Sequence, residues 1–473
     1  MRYYSKYYRK DGGRSMPTAK QTYEELLEEN RVMKELVKSL AAKIESLEAK
    51  LKKNSNNSSK PPSSDGLGKK VKNSRQPTGK KSGGQEGHNG FNKELSANPD
   101  TIVQLIPKKT CECGGEIIVQ IENYTMRQVT DIVRPSVITV EYHAHDGVCA
   151  ECGTVHKASF PENAKGVASY GENLQAFVTY LTNYQLIPLK RAVELVEDIF
   201  GQKISQGTII SSNMEAYEKL AEAENLVKGE ILQSDVAHFD ETGMRVKGKT
   251  HWMHSVGTAT CTVYGIHKKR GKEAMDEMDI LPRFRGTAIH DHWKSYYHYL
   301  LCAHSECNEH HLRHLKYLFE DLGEAWAGEM ICLLLRIKKH VELSKLFGAE
   351  QLEQADIDEY IRIYREILEN TAPQTSIEAK RMVNRLKKYE QETLLFMLDF
   401  DVPFTNNLAE RDVRMPKLKQ KISGCFRSNG GANSFARIRG FLSTAKKKGR
   451  RVMDGLVAAF NGEAASFLYP EKS

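Results

Sequence analysis

Asp240, Asp291 and Glu410 are the residues of this 473-residue chain whose types and settings point most directly to chemistry. Asp240 closes an apolar, strand-like run in Ala237-His238-Phe239-Asp240-Glu241-Thr242-Gly243, and Asp291 closes another in Ala288-Ile289-His290-Asp291-His292-Trp293. Carboxylates at the ends of neighbouring strands can share two magnesium ions about 3.5–4 Å apart, one activating an attacking oxygen and one stabilising a leaving oxygen. Magnesium, or manganese in its place, suits carboxylate oxygen and leaves other positions to water and phosphate. A third acid is expected from a later helix. Glu410, in Thr405-Asn406-Asn407-Leu408-Ala409-Glu410-Arg411-Asp412-Val413-Arg414, fits because it opens the most basic stretch of the chain. Asp235, near the start of the first strand, and Glu241, off its end, are second choices. A single strand-end Asp is more often a turn residue or helix cap, so the joint placement with an acid on a basic helix carries the reading.

The elements that must position these acids are legible nearby. Strand-like segments fall at 234–240, 251–257, 262–267 and 286–291, with a helix at 272–281. Three adjacent strands, a helix and a fourth strand give the order of a ribonuclease-H-like core of the retroviral-integrase type. Asp240 and Asp291 are separated by 51 residues, room for those elements, whereas Asp291 and Glu410 are 119 apart. The excess reads as charged amphipathic helices, so an α/β core at 231–314 and 399–425 is expected to carry an all-helical insertion at 315–398.

Upstream the texture changes three times, which makes the chain a multidomain α+β protein. After a disordered start at 1–19, residues 20–53 read as a leucine-zipper coiled coil. Its a positions are Tyr23, Asn30, Val37, Ile44 and Leu51, and its d positions are Leu26, Met33, Leu40 and Leu47. β-branched a with Leu at d favours a parallel dimer, and Asn30 at a would fix register; the plainer reading is one amphipathic helix packed on its own domain. The Ser/Pro/Gly/Lys-rich stretch 54–99 reads as a flexible basic linker, whether DNA-contacting or merely solvated. Residues 100–160 read as a small β domain, with strands at 101–106, 116–121 and 137–142. It carries Cys111 and Cys113, then Cys149 and Cys152, each pair followed by Gly. Two such pairs suit a four-cysteine zinc ribbon, although Cys111–Cys113 is CxC rather than CxxC; His143, His145 and His156 are substitute ligands, and unligated thiols are the alternative. Residues 165–230 read as helical. One helix ends near Phe200-Gly201 and Ser205 caps the next, either a DNA-reading helix-turn-helix or a hairpin that only packs.

Charge narrows the partners. The net charge is +8, but 411–451 alone carry +12 and 60–90 carry +5, leaving the rest acidic. Concentrated basic segments on an acidic chain point to nucleic acid. Arg411, Arg414, Lys417, Lys419, Lys421 and Arg427 follow the third acid. Lys446, Lys447, Lys448, Arg450 and Arg451 lie in a basic C-terminal tail, 426–473, suited to backbone contact or simply to a solvated face. No apolar run reaches the roughly 18–20 residues of a membrane span, and the start lacks a secretory apolar region. Nine cysteines, five of them scattered, argue against a disulfide framework. A cytoplasmic, nucleoid-associated protein is expected.

The chain resembles transposases of the insertion sequence 66 family. The residues that carry the resemblance are Asn57-Ser58-Ser59-Lys60-Pro61-Pro62-Ser63-Ser64-Asp65, Asp240-Glu241-Thr242-Gly243, His290-Asp291-His292-Trp293, Cys307-Asn308-Glu309-His310-His311-Leu312-Arg313 and Asn406-Asn407-Leu408-Ala409-Glu410-Arg411. The resemblance implies a leucine zipper, a zinc-finger-like domain, a DDE catalytic domain with Asp240, Asp291 and Glu410 as its triad, and a basic C-terminal tail. It also implies double-stranded DNA (terminal repeats and target) as partner, a dimer or higher oligomer, and small accessory proteins of the same element. Cys307 and His310 match a CxxH found near DDE sites, where a supporting role is expected. Met1–Ser15 departs from the family's start and points to Met16 as initiator. The expected activity is metal-dependent cleavage at element ends and strand transfer. The alternative is a dimeric DNA-binding protein with an inactive nuclease domain.

Overall fold

The computed structural model describes residues 28, 31, 33–40 and 95–470, apart from 120, 123, 133–134, 162–163, 165 and 372–375. Of the expected zipper, Leu26, Asn30, Ile44, Leu47 and Leu51 lie outside the described residues, as do the start 1–19 and nearly all of the linker. Residues 33–40 are helical, with Met33, Val37 and Leu40 exposed.

The region expected as a β domain is sparser than its sequence pattern. Two short strands, β1 (Asp146–Val148) and β2 (Val155–Lys157), form an antiparallel hairpin, and Thr110 makes one bridge with Glu116. The strands expected at 101–106, 116–121 and 137–142 form no ladder among the described residues. Alternating apolar residues specify a strand only when a partner and a covering layer bury one face; here Ile102, Leu105, Ile118, Val129 and Ile138 remain exposed.

The helical region follows the sequence closely. Helix α1 (Glu172–Thr179) runs into a π-helical turn at Tyr180–Tyr184, then α2 (Leu189–Phe200), α3 (Gln206–Lys219) and α4 (Ala221–Leu232). Gly201 ends α2 at φ +67°, a left-handed conformation that glycine adopts without strain, and the Ser205 hydroxyl accepts the Thr208 N–H at 3.0 Å to start α3.

The sheet that follows has five strands: β3 (Val236–Val246), β4 (Lys249–Gly257), β5 (Thr262–His267), β6 (Thr287–His290) and β7 (Ala303–Glu306), with α5 (Lys272–Met278) between β5 and β6. Their order is β5-β4-β3-β6-β7. β4 is antiparallel to both neighbours, and β3, β6 and β7 run parallel. A two-residue turn, Lys247 at φ +51° and Gly248 at φ +74°, closes the β3–β4 hairpin, and Phe426 pins it through bonds with Lys247 and Arg245.

Five helices come next: α6 (Asn308–Leu322), α7 (Ala325–Leu346), α8 (Gln354–Glu369), α9 (Ile377–Lys388) and α10 (Glu390–Leu398). The chain divides into two compact units, one holding 309–340 and 353–388, the other holding 74–308, 341–352 and 389–473. In the first, Tyr364 donates to Leu386 O at 3.0 Å and so ties α8 to α9.

The second unit ends in α11 (Asn407–Ser423), α12 (Asn429–Lys447), α13 (Val452–Phe460) and α14 (Ala464–Leu468). Helices α12, α13 and α14 occupy the stretch expected as a basic tail. Phe441, Leu442, Leu456, Phe460 and Leu468 belong to one core with Phe239, Val256 and Val263 of the sheet. Helix α12 is buried nearly all round, which suits a helix inside a core rather than a tail. Its Gly440 lets the helix approach the edge strand, where an added Cβ would stand 3.1 Å from Thr262 O. Thr444 then takes the Thr262 N–H at 3.0 Å and gives its hydroxyl to Thr262 O at 3.2 Å, closing the open edge of β5.

Candidate active site

The site arises where one side of the central strand loses its partner. β3 and β6 pair in parallel from Val236–Thr287 only as far as His238–Ile289. Asp240 and Asp291 each lie two residues past that last pair, so strand register sets them level with each other. β3 itself continues to Val246 because β4 accompanies it that far. Asp240 is therefore inside a strand, not at its end, and Glu241 is buried in the ladder opposite His254 rather than pointing off the strand.

The acids converge. The Asp240 carboxyl is held well above the usual carboxylate range, first by burial and then by the charges of Glu241, Asp291 and Glu410. Burial, with Glu241, pushes Asp291 up to about 7, although Arg270 pulls the other way. Each aspartate is oriented by a backbone donor: Asp240 Oδ1 accepts the Glu241 N–H at 2.8 Å, and Asp291 Oδ1 accepts the Trp293 N–H at 3.0 Å. Hard oxygen donors that raise one another's proton affinity fit a divalent cation, whose charge would relieve their repulsion.

Glu410 reaches this cluster from α11 through Asn406. Its N–H donates to Asn406 O at 3.2 Å in the first turn. The Asn406 side chain donates to Phe239 O at 2.7 Å and accepts from His238 Nδ1 at 2.8 Å, which fixes the imidazole tautomer. Phe239 O faces the side from which β6 has just departed, as Asp235 O faces Thr287 N at 2.7 Å, so the amide takes over a ladder bond. The Asn406 N–H also donates to Cys307 Sγ at 3.1 Å, and the Cys307 N–H to His290 O at 3.0 Å. Cys307 thus ties the end of β6 to the start of α11. His310 lies in the other unit, where burial holds its imidazole well below its ordinary pKa.

Arg270, Trp252, Trp293 and Tyr296 complete the surroundings of Glu241 and Asp291; Trp293 closes the His290-Asp291-His292-Trp293 motif, whereas no spacing in the sequence announces the other three. The Arg270 Nε donates to Glu241 at 2.6 Å, and Tyr296 donates to its other oxygen at 2.6 Å. Only the preference of buried carboxylates for paired cations could have pointed to them.

The basic residues divide. Arg411, Arg414, Lys421, Arg427, Lys446 and Arg451 are exposed. Lys417 donates to Gly243 O at 3.5 Å and Lys419 to Thr182 O at 3.2 Å, the latter pushed down to about 8 by burial. Lys447 turns inward to Asp412, Thr258 O and Cys261 O, and Lys448 to Glu230. Arg450 lies over the Phe467 ring. Lys419 on α11, and Lys447 and Lys448 at the end of the buried helix α12, thus spend their ammonium groups on carbonyl and carboxylate neighbours within the fold.

Each cysteine pair sits in a tight turn. Gly114 N donates to Cys111 O and Gly153 N to Cys149 O, both at 2.9 Å, with Gly114 at φ +88° and Gly153 at φ +70°. Thr154 and Cys149 lower the Cys152 thiol to about 7, and Cys113 lowers Cys111. Soft, readily ionised thiols fit zinc; among the described residues the two pairs are not drawn into one cluster.

Residues 168–434, from just before α1 into α12, match the model of the IS66 transposase family, more than half of the chain and all three acids. The chain belongs to the IS66 transposase family. Membership implies DNA binding and a divalent metal. A family of unknown function matches residues 14–94. No curated protein matches the chain. No helix among the described residues is long and apolar enough to cross a membrane.

Proposed function

We propose that this IS66-family chain is a DNA transposase whose catalytic domain is ribonuclease-H-like, with Asp240, Asp291 and Glu410 as its acidic triad. The observation that carries the reading is that Asp240 feels both Asp291 and Glu410, acids 51 and 170 residues away in sequence. The strand order, with one antiparallel strand next to the centre, supports the fold assignment. These three carboxylates would hold two magnesium ions, or manganese; when bound, such ions activate the attacking oxygen and stabilise the leaving oxygen in phosphoryl transfer. The chain's own part is positioning. β3 and the end of β6 hold two acids level, Asn406 and Cys307 hold α11 and Glu410 against them, and the exposed Arg411 and Arg414 beside Glu410 lie ready for backbone phosphates. No side-chain nucleophile is needed, since water and then a DNA 3′-hydroxyl serve.

The other segments take supporting roles in this reading. The zipper at 20–53 pairs two protomers, one for each element end. The cysteine turns bind zinc and, with the α2–α3 pair, recognise the ends, while Lys421, Arg427, Lys446 and Arg451 hold the backbone. Small accessory proteins of the element assist, and the protein works on the nucleoid.

The test is magnesium-dependent nicking and joining of labelled DNA carrying the element's own ends. Loss of both in Asp240→Ala, Asp291→Ala and Glu410→Ala proteins that fold and bind DNA supports the triad. Binding without cleavage by the wild type, with accessory proteins supplied, favours an inactive DNA-binding protein. Activity surviving Glu410→Ala places the third acid elsewhere.

A further inference from the structure

The cation among the acids is built into place from three directions. The Arg270 guanidinium carbon lies 3.9 Å from the Trp293 ring centroid and 5.0 Å from that of Trp252. Nε and Nη2 both reach Glu241 Oε1 at 2.6 Å, and Nη2 stands 3.6 Å from Asp291 Oδ2. The Tyr296 hydroxyl donates to Glu241 Oε2 at 2.6 Å. Glu241 is thereby used up: its side chain has no exposure and both oxygens are taken, so it serves as an anchor rather than as a metal ligand.

A cation needed only to balance nearby carboxylates requires no fixed orientation, and a lysine would serve. Two indole faces and a two-point grip on Glu241 instead fix the plane of the guanidinium. The Nη1 edge makes no hydrogen bond among the described residues, and the side chain is 24% exposed. A held plane with one free edge matches a tetrahedral oxyanion, and guanidinium–phosphate bonds are among the strong charge-assisted ones.

We propose that Arg270 grips a non-bridging oxygen of the DNA backbone beside the reacting phosphodiester, with Glu241, Tyr296, Trp252 and Trp293 as its positioning residues. The identity of the substrate rests on the transposase reading. The contact itself is with a nucleic-acid phosphate, so binding can test it without cleavage.

The experiment is the salt dependence of binding of the full chain to a labelled duplex carrying an element end, together with a scan of single methylphosphonate substitutions near the cleavage position. Arg270→Gln strands a buried carboxylate and threatens folding, so Glu241→Gln/Arg270→Gln is measured beside it, with Glu241→Gln as reference and melting temperatures as the folding control. Loss of one phosphate contact lowers the slope of log K against log salt by about 0.9. One methylphosphonate position that weakens the wild type should have no effect in the double variant. An unchanged slope and an unchanged phosphate map in a folded variant would overturn the proposal and leave Arg270 as charge balance. The two readings fail separately. Slope and map effects in a wild type that never cleaves would remove the transposase reading and keep the contact; normal wild-type cleavage without those effects would do the reverse.

Discussion

Asn406→Ala is the change that should most clearly separate positioning from chemistry. The substitution removes two buried side-chain hydrogen bonds, 2.7 Å to Phe239 O and 2.8 Å from His238 Nδ1, at a residue that is 2% exposed. Net losses of about 1 kcal/mol per bond, plus about 1–3 kcal/mol for a carbonyl left buried without a partner, give roughly 3–5 kcal/mol. For a domain of this size that corresponds to a melting temperature lower by about 6–20 °C. Below the transition the fold should persist, because β3 keeps its whole ladder with β4. Glu410 should not keep its place, since the first turn of α11 is tied to β3 through this amide. A displacement of about 1 Å at a reacting group costs on the order of 100-fold in rate. The assay is end cleavage in magnesium at a temperature where circular dichroism shows the variant folded. Asn406→Asp is the control: it can still accept from His238 but offers Phe239 O a second acceptor, so it should behave no better than Ala. An alanine variant melting within about 1 °C of wild type and cleaving within about threefold would refute the reasoning, since surface-like substitutions stay within about 0.5 kcal/mol.

Three further outcomes follow from the same structure. Burial alone would raise the Glu230 carboxyl, but hydrogen bonds from Lys448, Tyr469 and Thr260 overcome it and hold the group at about 2. Its stabilisation is fully present above about pH 4.5 and is lost as pH falls towards 2, so Glu230→Gln should flatten the acid limb of a stability–pH curve by about 1–2 kcal/mol after allowance for partial exposure. Gly286→Ala should prevent folding or cost more than about 3 kcal/mol by overpacking, because its Cβ would lie 2.4 Å from Asp235 O and 2.5 Å from Ser234 O, backbone that cannot yield; soluble yield and urea midpoint report it. Thr444→Val strips both bonds from the Thr262 edge and should cost about 2–3 kcal/mol, read from the same urea midpoint, while hydrogen exchange at Thr262 accelerates.

What the sequence determined is local. β-branched runs bounded by turn residues located β4, β5 and β6 to within two residues and the start of β3 but not its end at Val246, Ser205 and Gly201 marked the ends of two helices, and acids beside apolar runs singled out Asp240 and Asp291. β7 escaped because Ala303–Glu306 is four residues long and mostly polar, without an alternation to read. Tertiary structure decided the rest, because those properties depend on partners far along the chain. Asp240 sits at an opening in the ladder only because β6 stops at His290 while β4 runs on. Lys447 and Lys448 read as free cations until Asp412, 35 residues away, and Glu230, 218 residues away, turn them inward. A basic stretch became a core helix because burying Phe435, Ile438 and Leu442 against the sheet outweighs keeping its lysines in water. The acids themselves were visible as residue types; that they repel one another in a single place is a property of the folded chain.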